Sequence, residues 1–173
     1  MAGYATETAL WKMLADLSQQ LSKHPYTLPT PHNVVVEGEE FRLTDAAPSG
    51  TSPFTPPEGA DQASEQALVW ALGALVCYAS SGHNIFGAQG GAYQKEHPNV
   101  QLPVLRKEHS TLTPLVQRCL CYKPADRITL SELHRQALNS LQTSLQKKRQ
   151  VAVAVNNNSN TTLTADDVWP EQM

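Results

Sequence analysis

From Ser64 to Gly82 the chain reads Ser-Glu-Gln-Ala-Leu-Val-Trp-Ala-Leu-Gly-Ala-Leu-Val-Cys-Tyr-Ala-Ser-Ser-Gly. No charge occurs after Glu65, and every position from Ala67 to Ala79 is apolar or small. A helix that is apolar all round belongs inside a protein. This one falls short of the roughly 20 residues that a bilayer span needs. Ser64 suits the N-cap, Glu65 the first turn, and Gly82 the left-handed residue just past the end. The small residues Ala67, Ala71, Gly73 and Ala74 let neighbouring backbones come close. The stretch is therefore expected to be the central post of a mainly α-helical domain, and the remaining elements must surround it.

The rest of the chain supplies such elements. Leu10, Leu14, Leu17 and Leu21 recur at helical spacing and predict a helix over residues 6–22, its stripe widened by Trp11 and Met13. Prolines at 25, 29 and 31 force extended or turn backbone over Tyr26 to Asn33. Val34-Val35-Val36, a turn at Gly38 and Phe41-Arg42-Leu43 predict one small β-hairpin. Residues 45–58 are a Pro-, Gly- and Ser-rich loop, and a short helix is expected near Ala92 to Glu96. Gly87-Ala88-Gln89-Gly90-Gly91 lacks the Lys-Ser/Thr ending of a phosphate loop and reads as a flexible connection. Thr113-Pro114 predicts a cap followed by the first residue of a helix that ends near Pro124. Thr129 and Glu132 fit a capping box that opens a last helix, with Leu133, Ala137, Leu138, Leu141 and Leu145 on its apolar face and Lys147-Lys148-Arg149 at its end. The domain is expected to span residues 1–149. Residues 150–173, rich in Asn and Thr, are expected to be a flexible tail, with Val168-Trp169-Pro170 as its one candidate docking motif.

Composition limits the function classes. At 173 residues the chain has the size of one domain with a tail. A net charge of -3 gives no electrostatic reason to expect nucleic acid or an anionic membrane as partner. No basic-then-apolar leader is visible at the start. Three cysteines without metal-ligand spacing argue against a disulfide framework or a zinc site and fit a reduced, cytoplasmic compartment. Cys119 is expected in the core and Cys121 partly exposed; Trp70 and Tyr78 are read as packing residues. His32, His83, His97 and His109 are read as solvated loop histidines.

The order of motifs resembles the C-terminal lobe of the protein kinase fold. Asn33-Val34-Val35-Val36, the Gly turn and Phe41-Arg42-Leu43-Thr44-Asp45 resemble that family's catalytic-loop Asn, its hairpin and the Asp of D-F-G. Thr55-Pro56-Pro57-Glu58 resembles the segment ending in A-P-E, and Val69-Trp70-Ala71-Leu72-Gly73 the core of its central helix. Residues 119–129, Cys-Leu-Cys-Tyr-Lys-Pro-Ala-Asp-Arg-Ile-Thr, resemble its C-L-x-x-x-P-x-x-R-x-T signature. The resemblance covers residues 6–148 and implies an ion pair between Glu58 and Arg127.

The departures from that pattern bear on activity. Leu28 stands where the catalytic base would be, and H-R-D becomes Tyr26-Thr27-Leu28. Leucine cannot accept a hydroxyl proton, so the base has no occupant. D-F-G becomes Asp45-Ala46-Ala47, and Leu68 replaces the central-helix aspartate. Five residues precede Thr6, which leaves no room for the β-rich N-lobe with its phosphate loop and lysine. The resemblance thus implies a non-catalytic, C-lobe-only pseudokinase that needs no cofactor or metal. Its expected partner is another protein, docking on the face that carries Tyr26, Leu28 and the 45–53 loop, and self-association through that face is a variant of the same idea. The rival reading is a nucleotide- or magnesium-sensing regulatory subunit that uses Asn33 and Asp45 and completes its cleft with another chain. Against it, Asn33 also suits a loop cap and Asp45 a turn.

Overall fold

Helix α2 (Glu65–Ser81) fills the middle of the molecule, and every residue from Ala67 to Ser80 in it is buried. Its ends follow from local chemistry. The Ser64 hydroxyl accepts the Ala67 N–H at 3.1 Å, and Gly82 takes a φ of +79° and donates its N–H to Tyr78. In this computed structural model the described residues are 5–23, 28–44, 52–59 and 64–155. Around α2 stand α1 (Glu7–Lys23), the strands β1 (Val34–Glu37) and β2 (Glu40–Leu43), the short α3 (Gly91–Glu96), α4 (Thr113–Cys119) and the long α5 (Leu130–Val155), with 3-10 turns at 87–89, 107–112 and 124–126. Among the described residues the fold is mainly α with one two-stranded antiparallel hairpin. No helix among the described residues is long and apolar enough to cross a membrane.

α1 buries its Leu10, Leu14, Leu17 and Leu21 stripe and lies antiparallel to α5. Thr8 meets Ser144 near one end of the pair, and Ser18 lies 3.0 Å from His134 Nδ1 near the other. The hairpin pairs Val34 with Leu43 and Val36 with Phe41. α1 holds it by polar side chains: the Asp16 carboxylate accepts the Phe41 N–H at 3.0 Å, while Gln20 donates to the Phe41 carbonyl at 2.6 Å and accepts the Leu43 N–H at 2.8 Å. α4 crosses α2 at Gly73. A Cβ there would lie 2.7 Å from Cys119 Cβ and 3.1 Å from Leu120 Cγ, so glycine is what lets the two helices meet. The buried Gln94 fastens α3 to the same place, accepting from Trp70 Nε1 at 2.8 Å and donating to the Leu120 carbonyl at 2.7 Å.

Several local expectations are corrected. Thr113 does not cap α4. The helix continues from the 3-10 turn, so the Thr113 N–H already bonds the Ser110 carbonyl, and the threonine hydroxyl instead accepts the Leu105 N–H at 3.0 Å. Thr129 accepts the Glu132 N–H at 3.1 Å, but Glu132 does not reach back. Its carboxylate binds Arg135 and Gln136 instead, because a guanidinium one turn away is a stronger donor than a neutral backbone N–H. Those bonds hold the Glu132 pKa down at about 2. α5 runs on to Val155, past the boundary placed at 149–150, since no Gly or Pro interrupts its good helix formers. Leu138 and Leu145 are each 38% exposed, unlike Leu133, Ala137 and Leu141; at 100° per residue Leu138 falls beside the stripe rather than on it.

His109 is the largest departure among the histidines. It is 2% exposed rather than solvated, while His32, His83 and His97 are exposed. Its Nε2 donates to the Ala5 carbonyl at 2.7 Å, and Nδ1 lies 2.6 Å from the Ser80 hydroxyl, so a neutral ring ties the start of α1 to the end of α2. Burial is the main cause that pushes its pKa below the ordinary histidine value, with the Ala5 carbonyl opposing.

Two outcomes are expected. Gly73→Ala should destabilise the fold by about 1–3 kcal/mol through overpacking between α2 and α4, read from the urea midpoint. Because the folded chain binds the His109 proton less readily than the unfolded one, this histidine's contribution is complete above pH about 6.5 and is lost as pH falls below it. Urea unfolding between pH 7.5 and 5 should therefore show a steeper loss of stability in the native chain than in His109→Gln.

Candidate functional site

The loop 28–33 carries the residues that the sequence singles out, and Asn33 organises it. The asparagine is fully buried. Its Oδ1 accepts the Thr30 N–H at 2.7 Å, and its Nδ2 donates to the Leu28 carbonyl at 3.0 Å. Thr30 Oγ in turn accepts the His32 N–H at 3.2 Å. The Asn33 carbonyl accepts the Thr44 N–H at 2.7 Å, which fastens the loop to the end of β2. Both ends of the Asn33 amide are thus spent on the backbone of its own loop, the structural role that an asparagine among prolines suits. Leu28 is half-buried and packs against the core. Tyr26 and Asp45 lie outside the described residues. Among the described residues no cluster of three His, Cys, Asp or Glu is placed to hold a metal ion.

Segment 52–59 lies beside this loop. Ser52 and Thr55 close a turn through the Ser52 N–H to Thr55 Oγ, 3.0 Å, and the Thr55 N–H to the Ser52 carbonyl, 3.0 Å. Phe54 packs edge-on to Tyr78 of α2, with ring centroids 5.9 Å apart. The start of α3 presses on the other side. The Gly91 N–H donates to the Thr55 carbonyl at 2.8 Å, and a Cβ at Gly91 would lie 2.2 Å from the Pro56 carbonyl carbon. Gly90 and Gly91 are therefore a packed seat for this segment and not a free loop. Between the two segments lies a cavity of about 170 Å³ whose walls include Pro31, His32, Pro53, Phe54 and Tyr78. A larger cleft of about 530 Å³ opens between α1, α2 and α5, walled by Ser18, Leu21, Leu68, Leu130 and His134; it contains no residue of the 28–33 loop.

Arg127 anchors the far end of segment 52–59. Its side chain is fully buried, whereas that of Glu58 is 27% exposed. The guanidinium reaches Glu58 with both terminal nitrogens, at 2.7 Å and 2.9 Å. The remaining donors meet the carbonyls of Cys121 at 2.8 Å, Gln66 at 3.0 Å and Tyr122 at 3.2 Å. Five N–H donors thus find five acceptors, the full complement of an arginine. The pair links segment 52–59, the start of α2 and the turn after α4.

The cysteines offer no nucleophile. Burial pushes the Cys77 thiol up and Cys119 up to about 12. The half-buried Cys121 is also raised, by burial and then by Asp126. A thiol that stays protonated at neutral pH is a poor attacker. Gln94 and His109 are the organising residues that sequence reasoning missed. A glutamine on a short polar helix and a histidine in a charged turn carry no periodic signal that marks them as buried.

Arg127→Ala should lower stability by about 3–5 kcal/mol, since it removes a buried charge pair and strands three carbonyls. Arg127→Lys should recover little of this, because an ammonium has three donors and no planar fork. Thermal melts of the three proteins check both statements. In sequence, no family profile matches the chain, and no curated protein matches it.

Proposed function

We infer that this chain is a non-catalytic protein-interaction module, a scaffold of the signalling kind, built on a protein kinase-like C-lobe. The observation that carries the reading is the state of Asn33. Its amide is bound at both ends within the loop, while Leu28, five positions earlier, fills the place of the proton acceptor with an aliphatic side chain. A catalytic loop needs a free carboxylate near the substrate hydroxyl and an amide oxygen open to magnesium. Here the loop has neither, and it is held as a shaped surface instead. The paired Glu58 and Arg127, on the residues that match A-P-E and the C-terminal signature, support the kinase-like alignment.

The docking face in this reading is the 28–32 loop with the neighbouring cavity, where the exposed His32 and the part-exposed Pro31 and Pro53 form the rim and the buried Phe54 and Tyr78 form the floor. Free cysteines at 77, 119 and 121 support a reduced, cytoplasmic setting.

A thermal-shift titration with Mg-ATP tests the non-catalytic reading. The melting temperature is expected to stay unchanged up to millimolar nucleotide, with or without metal. A ligand at a hundred times its dissociation constant stabilises by about 2.7 kcal/mol, which such a titration resolves readily. A metal-dependent rise that Asn33→Ala abolishes, without itself unfolding the chain, would overturn the module in favour of a nucleotide sensor.

A further inference from the structure

α5 outruns the helix it packs on. Thr8, in the first turn of α1, already lies opposite Ser144, yet α5 continues to Val155. The overhang is not a polar, self-sufficient helix. Leu145 is 38% exposed and Val151 63% exposed. Leu138, Leu145 and Arg149, spaced by seven and four residues, share one open stripe. Lys147, Lys148 and Arg149 are all exposed, and none of them is in an ion pair among the described residues. Of these, Lys148 and Arg149 flank Leu145 around the helix, while Lys147 points to the other side.

The chain carries the complementary chemistry a short distance further on. Asp166-Asp167-Val168-Trp169-Pro170-Glu171 places three carboxylates around one large aromatic side chain. It follows residues 156–165, a stretch of Asn, Ser, Thr, Leu and Ala without charge. At about 3.3 Å per residue those ten residues span up to about 33 Å. From Val155 back to Arg149 along a helix is about 9 Å, and to Leu145 about 15 Å. The link is long enough to turn back with slack. A second copy of α5 is a poorer occupant, since antiparallel pairing would bring two basic clusters together.

We propose that residues 166–171 fold back onto the overhang of α5, with Asp166 and Asp167 against Lys148 and Arg149 and the Trp169 ring over Leu145. Tethering supplies an effective concentration in the millimolar range, so even a weak contact of this kind is populated. Because its charged half lies at the surface, the contact weakens as salt rises. The proposal stands apart from the kinase-like reading and concerns a different face of the molecule.

Hydrogen exchange of the α5 amides over residues 145–155 tests it, comparing the full chain with one that stops at Asn160. Exchange is expected to be several-fold slower in the full chain at low salt, and the difference should shrink in 0.5 M salt. Asp166→Lys with Asp167→Lys should raise exchange in the full chain to the level of the shortened one. Adding Lys148→Glu and Arg149→Glu to that pair should restore protection, an outcome that a mere change in helix fraying does not produce. Equal exchange in the full and shortened chains would overturn the proposal. So would failure of the charge swap, or protection that grows with protein concentration and so points to a second copy.

Discussion

The all-round burial of α2 is the constraint on which the other elements depend. A helix with a polar face needs a partner on one side only, whereas this one needs cover in every direction, and each neighbour answers a different part of its surface. Where bulk would keep a neighbour away, a small residue stands instead: Gly73 admits Cys119 and Leu120 of the α4 end. Where α2 carries a polar atom, a specific acceptor or donor meets it, as Gln94 meets Trp70 Nε1 and His109 meets Ser80. Hydrophobic burial supplies the driving force, but these few directed contacts decide which packing is adopted.

The second organising centre is polar. Segment 52–59 contains buried prolines and little secondary structure, so it cannot hold itself through a backbone ladder. It is held from outside: at Thr55 by the Gly91 N–H, at Phe54 by Tyr78, and at Glu58 by Arg127. A fully coordinated arginine suits that task because its rigid fork can satisfy three separate chain segments at once. The arrangement fastens segment 52–59 at three points along its length, and its Ser52, Pro53 and Phe54 wall the cavity beside Pro31.

What the sequence made legible follows physical lines. α1, the hairpin and α2 with both its caps could be read because periodicity and capping are local properties, encoded within one or two turns. Cys119 and Cys121 were separable for the same reason. Features set by distant partners were not legible. His109 looks like a surface residue between Glu108 and Ser110, and only the arrival of Ala5 and Ser80 gives its two nitrogens a use inside. Gly90 and Gly91 suggested freedom, yet their missing Cβ atoms serve close backbone contact with Pro53 and Pro56. Glu132 left its cap because Arg135 competes for it, a contest between two local rules that spacing alone does not decide. At the candidate site, Leu28 and Asn33 could be compared with a motif, but that the Asn33 amide is consumed by its own loop is a fact of geometry.

One small feature of α1 reaches beyond the hairpin it holds. A two-stranded sheet has two open edges, and an open edge invites pairing with another chain. With its side-chain amide on the Phe41 carbonyl and the Leu43 N–H, Gln20 mimics the peptide group of a third strand, and Asp16 takes up the remaining Phe41 N–H. The β2 edge is closed by two side chains on successive turns of a helix. The valine-rich hairpin is thereby shielded on that side from growing into an intermolecular sheet, and this protection lasts only while α1 stays docked. The closing of that strand edge and the seating of the first helix are, in this chain, the same event.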